Sequence, residues 1–177
     1  FASNDPRYQG VLAAAIVVDL NKPDYSSTAK SATFNIKTIN TDSINLEVIR
    51  TSETKLTKGS VTQVVGKAKS DNTLSAQDIN EALHFVISGS GTSLKVEVYS
   101  ASDTSKLILI AKDIQNLIGS KKDDTFIFKK GAKLTGTIDG GLGKNKLDYL
   151  AYGGVVNADL SDTVDLSGFF KSTVPVS

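Results

Sequence analysis

The chain has no cysteine, methionine or tryptophan, a single histidine (His84) and three prolines among 177 residues. Without cysteine there is no disulfide framework and no thiolate metal site. With one histidine, a Ser-His-Asp triad or an imidazole-rich metal centre would have to run through His84 alone. Aromatic residues make up 7% and hydrophobic residues 40%, so a core must be assembled from Val, Ile, Leu and Ala on thin elements. Charge of one sign is missing too: 20 basic against 19 acidic side chains leave a net +1, too little to steer nucleic acid or an anionic membrane. No apolar run approaches the ~20 residues that cross a bilayer. The longest, 11–20, is strand-sized and broken by Asp19. With no Met in the chain, Phe1 reads as a processed or truncated end.

What is present is Thr, Ser, Asn, Asp and Gly in abundance. That composition without cysteine fits an exported bacterial protein, and no Asn opens an N-x-Ser/Thr sequon, which speaks against a eukaryotic secretory chain. Residues 11–20 read as a strand buried on both faces, and 21–31, with Pro23, as a loop. Segments 32–39 and 43–50 alternate apolar and polar residues and are three residues apart (Asn40, Thr41, Asp42), which predicts a hairpin; 61–65 is a further short strand. One helix is expected near 75–87: Ser75 caps, Asp78 follows three residues on, and Ile79, Leu83 and Val86 recur at helical spacing until Gly89 and Gly91 end it. Leu94, Val96 and Val98 alternate again, and 107–111 is another apolar run. The expected fold is therefore mostly β: a β-rich unit over 1–112 with one short helix, then a solenoid-like segment over 113–177 packed on it. Short apolar groups recur there between Gly and Asp turns.

Within that last third, Ile114 to Phe128 contains Gly119, Ser120, Asp124 and Phe126, and a second stretch contains Gly140, Gly141, Gly143, Asn145 and Leu147. These residues resemble a degenerate form of the haemolysin-type (RTX) repeat G-G-x-G-x-D-x-U-x found in large secreted bacterial surface proteins. The resemblance covers roughly 114–160. It implies a parallel β-roll in which glycines allow the turns, Phe126 and Leu147 fill the core and the Asp positions with turn carbonyls hold Ca²⁺. On that implication the metal candidates are Asp123, Asp124, Asp139, Asn145 and Asp148. Lys121, Lys122, Lys144 and Lys146 crowd the same loops, and the two copies stand 21 residues apart, out of step with a tandem nonapeptide. Both features favour plain turn chemistry for Gly and Asp and no bound cofactor.

Other chemistry is thinly supported. His84, beside Phe85, reads as a half-exposed helix residue. Residues 140–144 fail the spacing of a phosphate loop. Asp123 with Asp124, and Asp162 with Asp165, read as solvated turn acids rather than a glycosidase pair. Lys55, Lys58, Lys67 and Lys69 lack aromatic interleaving, and Tyr149, Tyr152, Phe169 and Phe170 read as core and cap residues. No catalytic residue is assigned. A second echo links Tyr8, Val11 and Leu20 to Tyr152, Val155 and Leu160, as in one period of a head-to-tail array, which makes Val11, Val17, Val18 and Leu20 candidates for self-association. The expectation is a non-enzymatic structural or adhesive module at the bacterial cell surface, without nucleic-acid partner or transmembrane segment, that joins copies of itself through strand edges. The alternative is a carbohydrate- or calcium-binding module of a secreted enzyme or toxin, with a glycan as its partner.

Overall fold

Alternation decides the fold almost everywhere in the computed structural model, which describes residues 16–21, 32–39, 44–50, 53–57 and 61–156. Among these residues thirteen strands form: β1 (Ile16–Asp19), β2 (Ala32–Ile39), β3 (Ile44–Arg50), β4 (Glu53–Thr57), β5 (Val61–Val65), β6 (Thr73–Ser75), β7 (Leu83–Ser88), β8 (Lys95–Ser100), β9 (Leu107–Lys112), β10 (Asn116–Ile118), β11 (Thr125–Phe128), β12 (Ile138–Asp139) and β13 (Lys146–Asp148). In β3, Ile44, Leu46 and Val48 are buried, and in β8 so are Val96 and Val98, while their polar neighbours face out. The period of two puts one side of each strand into the core.

The strands lie in two mixed sheets, ordered β1-β5-β9-β8-β7-β11-β13 and β12-β10-β6-β2-β3-β4. Antiparallel pairs are confined to β2-β3-β4 and β7-β8-β9. Every other pair is parallel, so the chain crosses between the sheets each time it returns to a neighbouring strand. Leu74 pairs with Leu117, and Leu117 with Ile138. In the other sheet Phe85 pairs with Phe126, and Phe126 with Leu147. The last step is 21 residues in both sheets, and the step before it is about twice as long because β8 and β9 are inserted. A pair of nonapeptides would advance about 18 residues, so the stacking period here is a different one. Both sheets run uninterrupted through the expected boundary at 112/113, where β10 joins β6 and β11 joins β7.

The helix expected over 75–87 does not form. Residues 73–75 are β6 and 83–88 are β7, joined by an irregular turn, and the described residues hold only a single 3-10 turn at Gly91–Ser93. The error lies in the period. Leu83, Phe85 and Ile87 are buried while His84, Val86 and Ser88 are half-buried on the other side, and an aromatic and β-branched run satisfies that alternation better than a 3.6-residue repeat. Asp78, expected in the first helical turn, instead meets Lys37 and Asn35 of β2.

The expectation that 11–20 is a strand buried on both faces is also corrected. Val18 and Leu20 are buried, but Val17 is 53% exposed, as one-sided packing against a second sheet requires.

One core unites the sheets, with Val18, Phe34, Leu46, Leu74, Phe85, Leu109, Leu117 and Phe126 among its members. Phe85 and Phe126 stack with centroids 4.8 Å apart, and Phe128 stacks on Tyr149 at 4.6 Å. Phe126 is fully buried, whereas Leu147, on the last strand of its sheet, is only partly covered. Truncating Phe126 to Ala should therefore destabilise the fold by about 3–5 kcal/mol, with a distinctly smaller loss for Leu147→Ala. Chemical denaturation of the two variants would show the ranking, and equal losses would contradict the graded burial.

Candidate functional site

Three of the five residues singled out for metal binding, Asp123, Asp124 and Asn145, meet at the turn between the sheets, just before β11 and β13. Each pass through this turn must bury backbone N–H groups, and side chains receive them. Leu83 N–H donates to Asp124 Oδ1 at 2.7 Å, and Asp124 N–H donates to Asn145 Oδ1 at 2.9 Å. Asp124 and Asn145, 21 residues apart, thus perform the same task on successive passes: each accepts from the backbone of the pass above. Ser120 completes the set, its backbone N–H donating to Asp124 Oδ2 and its hydroxyl to Asp124 Oδ1. Asn145 Nδ2 donates to Leu142 O at 3.1 Å. Glycine is required where the passes touch: a Cβ on Gly119 would stand 2.3 Å from Gly140 O and 2.6 Å from Asp124 Oδ2.

The other three candidates lie outside this buried set, Asp123 and Asp139 exposed and Asp148 half-buried. Asp123 Oδ1 accepts from Lys144 N–H at 2.8 Å. Asp139 Oδ1 accepts from Gly141 N–H at 2.9 Å. Asp148 accepts from Leu150 N–H and pairs with the Lys146 ammonium at 2.7 Å. The structure therefore brings Asp123, Asp124 and Asn145 to one turn and leaves Asp139 and Asp148 elsewhere. Among the described residues no three Asp, Glu, His or Cys side chains converge as a metal site. What the turn does chemically is hold backbone donors.

Burial pushes the Asp124 carboxyl above the usual Asp range, against the pull of the N–H groups of Ser120 and Leu83 and the Ser120 hydroxyl. Asp148 is held low by the Lys146 ammonium and the Leu150 N–H. On the outer face of the second sheet, the Lys37 ammonium holds Asp78 low, with Asn35 Nδ2 adding a hydrogen bond at 2.9 Å.

Sequence reasoning missed a second bracket at the opposite turn. Asn72, fully buried, donates through Nδ2 to Lys67 O and Asp113 O, both at 2.9 Å, and its Oδ1 accepts from Lys67 N–H. Gln115 Oε1 accepts from Asn72 N–H at 2.7 Å, and Asn116 Oδ1 accepts from Thr137 N–H, again 21 residues on. Nothing in the sequence set these amides apart from exposed loop Asn and Gln.

Of the self-association candidates, Val18 and Leu20 belong to the chain's own core and only Val17 faces outward; Val11 lies outside the described residues, as do Asp162, Asp165, Phe169 and Phe170. Among the described residues β1, which carries Val17, is an edge strand, and β13 is the opposite edge of the same sheet. Near β13 the surface is unusually apolar: Leu150 is 93% and Leu142 65% exposed, and Val155 and Val156 also face solvent. His84 sits on the outer face of β7, paired across with Tyr99. With Val86, Glu97, Thr104, Ile127 and Lys129 it lines a shallow depression of about 340 Å³.

Two outcomes follow from the turn chemistry. Asp124→Ala leaves buried N–H donors of Leu83 and Ser120 unpaired and should cost about 1–3 kcal/mol for each, while a chelator, with these oxygens already occupied by N–H groups, should leave the melting temperature of the intact protein unchanged. The raised Asp124 carboxyl binds more protons folded than unfolded, so its share of stability falls as pH rises from the ordinary Asp value near 3.9 through the raised one. Asp124→Asn should lack that fall, read as the difference in pH slope between the two proteins' denaturation curves.

Compared with protein-family models, with curated proteins and with solved structures, the chain matches none.

Proposed function

We propose that this chain is a non-enzymatic structural or adhesive module of a bacterial extracellular protein, one that joins copies of itself through open strand edges. The observation that carries the reading is the way both sheets end. Among the described residues β1 and β13 bound one sheet and β4 and β12 the other, each with a neighbour on one side only. An unpaired edge carries a row of N–H and C=O groups that recruit another strand. The exposed leucines and valines beside β13 add apolar area where such a strand would arrive. Further support comes from composition: a cysteine-free, Thr/Ser/Asn-rich chain suits life outside the bacterial cell. The likeness of 114–160 to the haemolysin-type repeats of surface proteins points the same way. In this reading the motif's Asp124 and Asn145 have kept the turn and act without calcium.

A second reading, glycan binding, has one observation in its favour. The depression at His84 is lined by the Tyr99 ring and apolar Val86 and Ile127 together with Glu97, Thr104 and Lys129, the mixture of aromatic and polar groups that sugars use.

Light scattering across a concentration series, followed by electron microscopy, separates the two. Growth to particles of many copies without added ligand is expected under the first reading. A strict monomer at high concentration, with amide shifts at Tyr99 and Ile127 on titration with oligosaccharides, would replace it with the second.

A further inference from the structure

The edges carry more than openness: they carry direction and register. Following the pairings across the larger sheet, β1, β5 and β9 are mutually parallel, β8 reverses, and β7, β11 and β13 return to the direction of β1. The two edges of this sheet therefore run the same way. In the smaller sheet β3 reverses β2 and β4 reverses it again, so β4 runs with β2, as do β6, β10 and β12. Placing the last strand of one copy beside the first strand of another thus makes a parallel pair in either sheet, of the kind already used throughout the molecule.

Register comes from which backbone groups face outward. Lys146 N–H donates to Asp124 O at 2.9 Å, so Lys146 and Asp148 turn their backbone groups toward β11, and those of Leu147 point away from the sheet. At the other edge Leu20 N–H donates to Val65 O at 3.0 Å. Leu20 and Val18 therefore face β5, while the N–H and C=O groups of Val17 and Asp19 point outward. A parallel ladder satisfies both edges when Leu147 stands opposite Val18. The core-facing side chains agree: Val18 is buried on the core side and Leu147 is a half-covered member of the same core, while on the outer face the same register sets Val17 beside Lys146 and Asp19 beside Asp148.

We propose that β13 of one copy pairs in parallel with β1 of a second copy, Leu147 N–H donating to Val17 O and Asp19 N–H donating to Leu147 O. The contact would cover Leu147 with Val18 and set Val17 beside Lys146. The proposal rests on the reading of the chain as a self-assembling module and names the strands through which it assembles. It is a head-to-tail contact, with different surfaces on the two partners, and so repeats from copy to copy.

The absence of cysteine makes the test clean. Val17→Cys and Lys146→Cys are combined in one chain and the protein is oxidised mildly. Neighbouring residues on adjacent strands lie within disulfide reach, whereas inside one copy the two positions are separated by six strand spacings, about 29 Å. The expected result is a ladder of covalent multimers on denaturing gels, reversed by reductant. Either single variant, and a Val17→Cys, Lys112→Cys chain with its second thiol in the middle of the outer face, should give no such ladder. Circular dichroism establishes that each variant is folded. Assembly by light scattering without a ladder from the 17/146 pair would overturn this interface and leave self-assembly standing. Cross-linked dimers from a single variant would overturn it in favour of like edges meeting. A folded protein that remains monomeric at every concentration would overturn both this contact and the function on which it rests.

Discussion

A chain that stacks strands in parallel must turn between sheets on every pass, and each turn leaves N–H groups inside that no strand can satisfy. Everything else in this molecule depends on how those groups are met. An unpaired buried donor costs about 1–3 kcal/mol, which a thin core with few aromatics has little margin to absorb. Here the donors are met by short polar side chains: Asp124 and Asn145 at one turn, Asn72, Gln115 and Asn116 at the other. Asp124, Asn145, Gln115 and Asn116 each accept from the pass beside their own, and Asn72 accepts from its own turn while donating to Asp113 O of the next. The turns are thereby coupled as tightly as the strands, and glycines such as Gly119 allow the passes to approach closely enough for that coupling.

The same device accounts for what resembles a metal-binding repeat. A Gly-rich turn with an Asp at its end presents oxygens to whatever fills the turn. In this chain the occupant is the backbone of the neighbouring pass, and lysines line the outside. Asp124 sits at the motif's acidic position, buried to 1% exposure, with both oxygens taken by N–H and O–H donors. Replacement of Asp by Asn one pass later follows from that use, since an amide oxygen accepts a hydrogen bond as an aspartate oxygen does and carries no charge to desolvate.

Much of the β architecture was legible because period-two alternation is unambiguous in long strands: β2, β3 and β8 stand where Phe34, Ile36, Ile44, Leu46, Val96 and Val98 placed them. The 21-residue spacing of the two motif copies was visible too, although its meaning, one complete pass through both sheets, was not. The failures have local causes. Ser75, Asp78, Ile79 and Leu83 satisfy a helix template by coincidence, because a polar turn between two short strands can mimic a capped helix. Asn72 and Gln115 left no trace because a buried turn acceptor and an exposed loop amide look alike in sequence. Pairing order was equally hidden, since β9 lies next to β5 across more than forty residues, and no local pattern encodes such a choice.

Among the described residues, seven strands in one sheet face six in the other. Strands within a sheet are about 4.8 Å apart and facing sheets about 10 Å apart, so over the described strands one sheet is longer than the other by one strand spacing. If both sheets continue from copy to copy, that wedge cannot build a straight rod. Each added unit would tilt by roughly 25° toward the six-stranded side, and the array would curl into an arc, a coil or a ring of about fourteen units. The curvature of any particle the protein makes would then be written in the count of its strands.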